Sequence, residues 1–268
     1  MVIDFHTHAF PEKVAARAMD RISRAAGGAV PVRDGTLGSL SRQSAEDGAK
    51  SVLLAIATNA HQMHSVNDWA AQAMADERIA ASFGSVHPDA PDALEEIDRI
   101  AALGMKGVKF HPEYQEIQPD DPRMRKIYRR IARNGLITVF HSGLDPAYPG
   151  RCLMSAAMLA KVLPYFDGAP VVAAHMGGMR IWEDVLKLDV PDNLYIDTAY
   201  CADCIPAPVA ERLVEKFGVE RVLFGSDSPW DRAANARHLV EALPVGDEDR
   251  QKIFYDNAAR LLRLEPEQ

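Results

Sequence analysis

The chain opens with the stretch Met1-Val-Ile-Asp-Phe-His-Thr-His-Ala9, a short apolar run that ends in two histidines spaced two residues apart. Side chains alternate between the two faces of a β-strand, so His6 and His8 point to the same side. Their backbone positions lie about 6.6 Å apart, near enough for both rings to bind one ion at about 2.0–2.1 Å. The stretch therefore predicts a strand that carries half of a metal site.

Seven further apolar, β-branched runs follow, and helix-like segments separate them. The eight predicted strands are Val2–Phe5, Ser51–Ile56, Ile79–Val86, Gly107–His111, Ile137–His141, Val171–His175, Leu194–Thr198 and Arg221–Gly225. Apolar strands that alternate with helices are typical of a parallel sheet covered on both faces. Eight such units predict an α/β fold, a closed (β/α)8 TIM barrel.

The segments between the strands indicate where helices begin and end. Residues 11–50 are too long for a simple crossover and predict a short helical insertion after strand 1, with a helix over Glu12 to Ala26. Asp121 before Pro122 predicts a helix start, and Asn134-Gly135 predicts its end. A last helix over Asp247 to Leu264 is expected to complete the barrel wall. The sequence has no repeat and no convincing linker, so we expect one domain over residues 1–268.

The composition indicates which kind of molecule the protein binds. The chain has 268 residues, 47% of them hydrophobic, and a formal net charge of −8. Its dispersed basic residues argue against nucleic-acid binding, and no apolar run approaches the roughly 20 residues of a membrane span. Three cysteines, Cys152, Cys201 and Cys204, are too few for a disulfide framework. We expect a cytoplasmic protein with a small-molecule substrate and no membrane partner.

Polar residues end several of the predicted strands, and the active site of a TIM barrel lies at that end of its strands. His6 and His8 end strand 1, His141 ends strand 5 and Asp227 follows strand 8. These four side chains suit the inner shell of a zinc ion that keeps a position free for water. His175 ends strand 6 and is placed to exchange a proton with that water or with the substrate. Asp227 is also a candidate for orienting or deprotonating the water.

Four motifs then carry a resemblance to a known family. They are His6-x-His8 on strand 1, His141 on strand 5, His175-x-Gly-Gly178 on strand 6 and Gly225-Ser-Asp-x-Pro229 on strand 8. In this order they resemble the amidohydrolase superfamily, and more narrowly its amidohydrolase-related branch. That branch contains metal-dependent hydrolases and decarboxylases similar to aminocarboxymuconate semialdehyde decarboxylase. Tyr255–Leu262 resembles the terminal helix of the family, so the resemblance covers nearly the whole chain.

The resemblance implies a role for each of these residues. It implies metal binding by His6, His8, His141 and Asp227, and an acid/base role for His175, which also positions water. The branch usually holds one metal ion. Zinc is the expected ion, and manganese, iron or cobalt suit the same ligands. A homodimer is expected by family analogy alone.

Five further residues are candidate substrate contacts. In some amidohydrolases a lysine at the position of Lys109 is carboxylated and bridges two metals, but we expect an unmodified cation that faces a substrate carboxylate. His111 shares its inward parity and is expected to contact the substrate. Arg151 and Arg180 are candidates for binding an anion, with surface ion pairs as the alternative. Trp230 is a candidate pocket wall, with simple packing as the alternative.

Three other residues receive structural interpretations. Asp4 has the parity of His6 but lies deeper, so we expect it to support the site by hydrogen bonding. Cys201 and Cys204 have redox spacing but lack a thioredoxin-like context, so we expect no redox function.

Three functions follow from this set. The first is a metal-dependent hydrolase of a small amide, lactone or cyclic ester. The second is a nonoxidative decarboxylase of a small unsaturated or aromatic carboxylic acid, in which His175 protonates the carbon. Because the chain is close to a minimal barrel, the sequence alone favours hydrolysis. The third is a metal-free binding module.

Overall fold

The structure, a computed structural model, describes residues 1–265. Its eight strands form one parallel sheet in chain order, which is a nearly closed (β/α)8 barrel, as predicted. The strands are β1 Val2–Thr7, β2 Ala49–Leu54, β3 Ile79–Gly84, β4 Gly107–Phe110, β5 Ile137–Phe140, β6 Val171–Ala173, β7 Leu194–Asp197 and β8 Val222–Leu223.

Helices connect the strands on the outside of the barrel. The α-helices are α1 Glu12–Ala25, α2 Leu37–Glu46, α3 Met63–Ala73, α4 Ala93–Ala102, α5 Pro112–Gln115, α6 Pro122–Arg133, α7 Ala156–Val162, α8 Trp182–Val185, α9 Ala207–Phe217, α10 Ala233–Ala242, α11 Asp247–Gln251 and α12 Asn257–Leu262. Short 3₁₀ helices cover Ala60–Gln62, Leu163–Phe166 and Val219–Arg221, and a π-helical turn covers Lys252–Asp256. Within residues 1–265, every helix is too short or too polar to span a bilayer.

The predicted helix signals and the insertion are confirmed. The Asp121 side chain accepts a hydrogen bond from the Arg123 backbone N–H at the start of α6, and Gly135 follows its end at φ +65°. Two helices, α1 and α2, lie between β1 and β2 where the sequence predicted an insertion.

The barrel closes between its first and last strands, and this seam differs from the prediction. β1 continues to Thr7, whereas β8 is only two residues long rather than the predicted Arg221–Gly225. Single backbone hydrogen bonds continue the contact beyond β8, from Asp227 N–H to the His6 carbonyl at 2.8 Å and from His8 N–H to the Ser228 carbonyl at 2.6 Å. Gly225 permits the close approach, because an added Cβ would lie 2.8 Å from the His6 Cβ. The seam therefore brings together the first motif, His6-x-His8, and the last, Gly225-Ser-Asp-x-Pro229.

Three clusters of buried apolar side chains hold the barrel, and the smallest consists of Ala9, Leu40, Leu53, Ala73 and Ile79. The largest cluster joins strand residues such as Val108 and Phe140 to helix residues such as Ile97 and Ile127. The remaining cluster packs strand residues against α12, and its members are Ile3, Phe5, Val52, Leu54, Ala81, Phe83, Ile137, Val139, Val172, Leu223, Ala258 and Leu262. The terminal helix therefore packs against the strands, as predicted.

Gly107 begins β4, the strand that carries Lys109. An added Cβ there would lie 2.2 Å from the Ile137 carbonyl oxygen and 2.3 Å from a Phe83 ring carbon. We expect Gly107→Ala to lower the free energy of unfolding by about 1–3 kcal/mol, because overpacking forces the backbone and the ring apart. Denaturant unfolding measures this change. Gly246→Ala is the matched control, since nothing lies within 4 Å of its added Cβ; equal losses in the two variants would contradict the expectation.

Candidate metal centre and active site

Three ligand atoms meet at the seam of the barrel. His6 Nε2 lies 3.2 Å from His8 Nε2 and 3.3 Å from Asp227 Oδ1, and His8 Nε2 lies 3.2 Å from the same Asp227 oxygen. β1 supplies the two imidazoles, and the loop after β8 supplies the carboxylate. The predicted pairing of the first and last strands at one site is therefore present in the structure.

The hydrogen bond made by Nδ1 of each ring determines how its Nε2 is oriented. His6 Nδ1 lies 2.8 Å from Asp197 Oδ2, and His8 Nδ1 lies 2.8 Å from the Leu54 carbonyl oxygen. Both partners accept hydrogen bonds, so each Nδ1 carries a proton and each Nε2 is turned toward Asp227. Burial, together with the Lys109 ammonium, lowers the pKa of His6 well below its ordinary value. Two imidazole nitrogens and a carboxylate oxygen thus face one another, a donor set that suits a cation.

The three atoms fit a divalent metal ion. Separations of 3.2–3.3 Å are compatible with three atoms that would bind one ion at about 2.0–2.1 Å each. Imidazole and carboxylate are ligands of zinc and of other first-row metals. The Asp197 carboxylate and the Leu54 carbonyl orient the two rings in the manner usual for metal-bound histidines.

Lys109 lies beside this donor set. Its ammonium nitrogen is 3.1 Å from His6 Nε2, and the side chain is fully buried. Burial lowers the pKa of Lys109 to about 8, against the opposing influence of Asp197 and Asp227. Lys109 thus lies at the donor set, and its unmodified state and its contact with a substrate carboxylate stay predictions.

His175 and His141 form a second layer of the site. His175 Nδ1 donates to the Ala199 carbonyl at 2.9 Å, and His175 Nε2 lies 3.0 Å from His141 Nδ1. The ring centroids of His6 and His175 are 5.2 Å apart, so His175 lies next to the donor set. The backbone of His175 has φ +61° and that of Asp227 φ +71°, a conformation that costs energy and is concentrated at functional sites.

His141 belongs to a different group of donors in this structure. Its ring stacks on His111 at 4.0 Å and 9°, and both rings are near Asp145, with Asp145 Oδ2 3.1 Å from His111 Nε2 and 3.9 Å from His141 Nε2. His141 Nε2 is buried with no hydrogen-bond partner among the described residues. His111, His141 and Asp145 each offer a ligand atom, and these atoms lie within 4.8 Å of one another, so they form a second candidate metal group. Metal binding by His141 stays a prediction.

Asp197 is a residue that the sequence analysis missed. One of its oxygens accepts from the backbone N–H groups of His175 and Ala199, at 2.9 and 3.1 Å, and the other faces His6 Nδ1. Burial raises its pKa, although the surrounding donors oppose the shift. The available signal was a carboxylate inside the apolar run Leu194-Tyr-Ile-Asp-Thr198. Asp4, by contrast, has the supporting role predicted for it, since it accepts from the Ser226 backbone N–H at 2.9 Å.

A cavity of about 520 Å³ opens next to the site. Its lining residues are Leu144, Asp145, Pro146, Pro149, Gly150, Met179, Arg180, Tyr200, Asp203, Cys204, Trp230 and Asp231. The Trp230 backbone N–H donates to the Asp227 carbonyl at 2.9 Å, which joins the cavity wall to the donor set. Arg180 and Trp230 are thus in the cavity wall, while the Arg151 guanidinium lies 5.9 Å from the Tyr148 ring centroid. Their contacts with a substrate stay predictions.

Cys204 lines the cavity, Cys201 is buried, and neither thiol is in a disulfide.

Comparison with known proteins assigns the chain to a family. The model of the amidohydrolase family matches residues 3–264. The chain belongs to the amidohydrolase family. Comparison of this amidohydrolase with curated protein sequences finds no match.

Solved structures share the fold of this amidohydrolase. It is similar to 5-carboxyvanillate decarboxylase from Sphingomonas paucimobilis, with a TM-score of 0.71, 18% identity and coverage of 98% of this chain and 99% of the other. It is also similar to a dihydroxybenzoic acid decarboxylase from Polaromonas sp. JS666, with bound manganese and the inhibitor 2-nitroresorcinol. The TM-score is 0.70 and the identity 16%, and the match covers 98% of this chain and 97% of the other. A putative 2-pyrone-4,6-dicarboxylic acid hydrolase from Pseudomonas putida has a TM-score of 0.71 and 19% identity, with coverage of 99% of this chain and 98% of the other. At these identities the likeness establishes the fold.

Asp197→Asn tests the role of the Asp197 carboxylate in orienting His6. We expect zinc to bind roughly 10- to 100-fold more weakly, because the variant lacks the charge that holds the His6 Nδ1 proton. Competition with a chromogenic chelator measures the affinity. Glu96→Gln is the control, since Glu96 is an equally buried carboxylate that pairs with Arg99 away from the site. Wild-type affinity in the Asp197 variant would refute the role.

Proposed function

We propose that this amidohydrolase is a metal-dependent nonoxidative decarboxylase of a small aromatic or unsaturated carboxylic acid. The observation that carries the proposal is a cavity whose wall includes Tyr200, Trp230 and Arg180 and which the Trp230 backbone links to Asp227 of the three-donor site. The similarity to two aromatic-acid decarboxylases over nearly the whole chain supports it. Hydrolysis, which the sequence alone favoured, has weaker support from these comparisons.

The cavity suits a small anionic ring. Tyr200 and Trp230 offer flat apolar surfaces, and Arg180 offers a planar charge for a carboxylate or phenolate. Trp230 is linked by its backbone to Asp227, so a ring against this wall lies near the donor set.

His6, His8 and Asp227 would hold the ion, and we propose zinc, with His141 as a further ligand. When bound, the ion supplies a positive charge that anchors an anionic oxygen of the substrate. Asp197 keeps the His6 ring oriented with Nε2 toward the donor set.

His175 is the proposed proton donor. Loss of carbon dioxide leaves the electron pair of the broken carbon–carbon bond on the ring carbon, and that carbon must take up one proton. Because His175 Nδ1 donates to the Ala199 carbonyl, Nε2, which lies 3.0 Å from His141 Nδ1, is the atom that would give up this proton. His175 would pass from imidazolium to neutral imidazole as the carbon is protonated.

Hydrolysis is the second candidate, because the same donor set suits activation of water and the fold is shared with a putative 2-pyrone-4,6-dicarboxylic acid hydrolase. Manganese, present in one compared decarboxylase structure, suits the same ligands.

Metal removal separates the three functions. We expect the chelator-treated protein to be inactive, and zinc or manganese to restore the release of carbon dioxide from hydroxylated aromatic acids with an equal amount of decarboxylated ring. Gas release and chromatography of the product measure the reaction against a parallel panel of lactones and amides. Acid released from a lactone without carbon dioxide would favour hydrolysis. An absence of bound ion and of any activity would favour the binding module.

Arg180→Met tests the anion contact. We expect the KM for an aromatic acid to rise roughly 10- to 100-fold with a smaller change in kcat, since a hydrogen bond to a charged group contributes about 1.5–3 kcal/mol. Steady-state kinetics measure both constants. Arg212→Met is the matched control, because Arg212 pairs with Glu183 on the exposed surface. An unchanged KM in the Arg180 variant would remove Arg180 from the proposed site.

A further inference from the structure

We propose that Arg33, in the insertion between α1 and α2, is a positioning residue for the metal centre. The inference rests on the metal site of the proposed function and not on which reaction that site performs.

Arg33 bonds to both sides of the barrel seam. Its Nη2 donates to the His8 carbonyl at 2.7 Å, and its Nε donates to Ser228 Oγ at 2.6 Å. His8 is one of the three donors, and Ser228 directly follows another, Asp227. One planar guanidinium therefore links the backbone of a ligand on β1 to the neighbour of the ligand after β8.

The rest of the guanidinium is held in place by the insertion. Nη1 donates to the Thr36 carbonyl and to Ser39 Oγ, both at 3.2 Å. These two acceptors lie at the start of α2 and fix the orientation of the guanidinium plane. Because Arg is planar and always charged, it can hold several acceptors in one geometry, which a lysine cannot do.

The metal site needs such a link because its donors come from two strands with little pairing. β8 ends at Leu223, and single backbone hydrogen bonds join the chain to β1 beyond it. Metal–ligand distances must hold within about 0.2 Å, so small movements along the seam would separate Asp227 from the two histidines. The site thus depends on contacts that set the position of one strand end against the other.

The insertion itself has other anchors. Val32 N–H donates to the Pro229 carbonyl at 2.8 Å, and Phe10 N–H donates to the Gly35 carbonyl at 2.8 Å. These bonds hold the insertion on the barrel without the Arg33 side chain. A purely structural role for Arg33 would therefore change stability and leave metal affinity alone.

The experiment compares zinc affinity, by chelator competition, with the thermal stability of the metal-free protein. We expect Arg33→Met to weaken zinc binding roughly 10- to 100-fold, Arg33→Lys to give a smaller loss, and the visible absorption of the cobalt-loaded Arg33→Met protein to change in position or intensity. Arg221→Met is the matched control, since Arg221 also donates to a backbone carbonyl, that of Phe217, but directly precedes β8 at its other end. We expect its zinc affinity to stay within about twofold of wild type.

Two results would overturn the inference. One is wild-type zinc affinity and an unchanged cobalt spectrum in Arg33→Met; the other is an equal loss of affinity in Arg221→Met. If Arg33→Met does not fold, zinc affinity is measured in Ser228→Ala and Arg33→Lys instead. Wild-type affinity in both of these variants would overturn the inference. Affinity is measured without substrate, so failure to release carbon dioxide refutes the decarboxylase proposal alone.

Discussion

The site of this amidohydrolase depends on two imidazole nitrogens and one carboxylate oxygen that face one another at 3.2–3.3 Å. Asp197 and the Leu54 carbonyl accept hydrogen bonds from His6 Nδ1 and His8 Nδ1, so both Nε2 atoms point toward the Asp227 carboxylate. Such a set of donor atoms suits a cation at its centre. Lys109 supplies one positive charge at its edge, and a divalent ion fits among the three atoms.

The same constraint explains how the neighbouring residues are arranged. Asp197 bonds both to a ring at the donor set and to the backbone of His175, so one carboxylate fixes the ligand and the proposed proton donor together. The positive φ of His175 is held by this contact and by the bond to Ala199. The position of His175 therefore depends on the same Asp197 carboxylate that orients His6.

The sequence predicts much of this molecule because its signals are local. The alternation of apolar runs and helix caps predicts eight strands and a barrel, and the ends of those strands identify His6, His8 and Asp227. Asp197 was missed because a carboxylate inside a strand does not reveal which ring it will orient. The short β8 was missed because pairing across the seam depends on the partner strand. The contacts of His141 and Arg33 depend on neighbours far away in the chain, and spacing alone contains no information about them.

The seam also bears on how the protein reaches its native state. Asp4 and Ser226, which bond across it, are separated by 222 positions in the chain, so all of the intervening chain must be synthesised before the two sides can meet. Contacts of such long sequence separation form late, since the chain must first lose the entropy of closing the intervening loop. An ion that binds only the closed barrel would draw the folding equilibrium toward it by mass action. Such an ion would couple metal supply to the completion of folding at the seam.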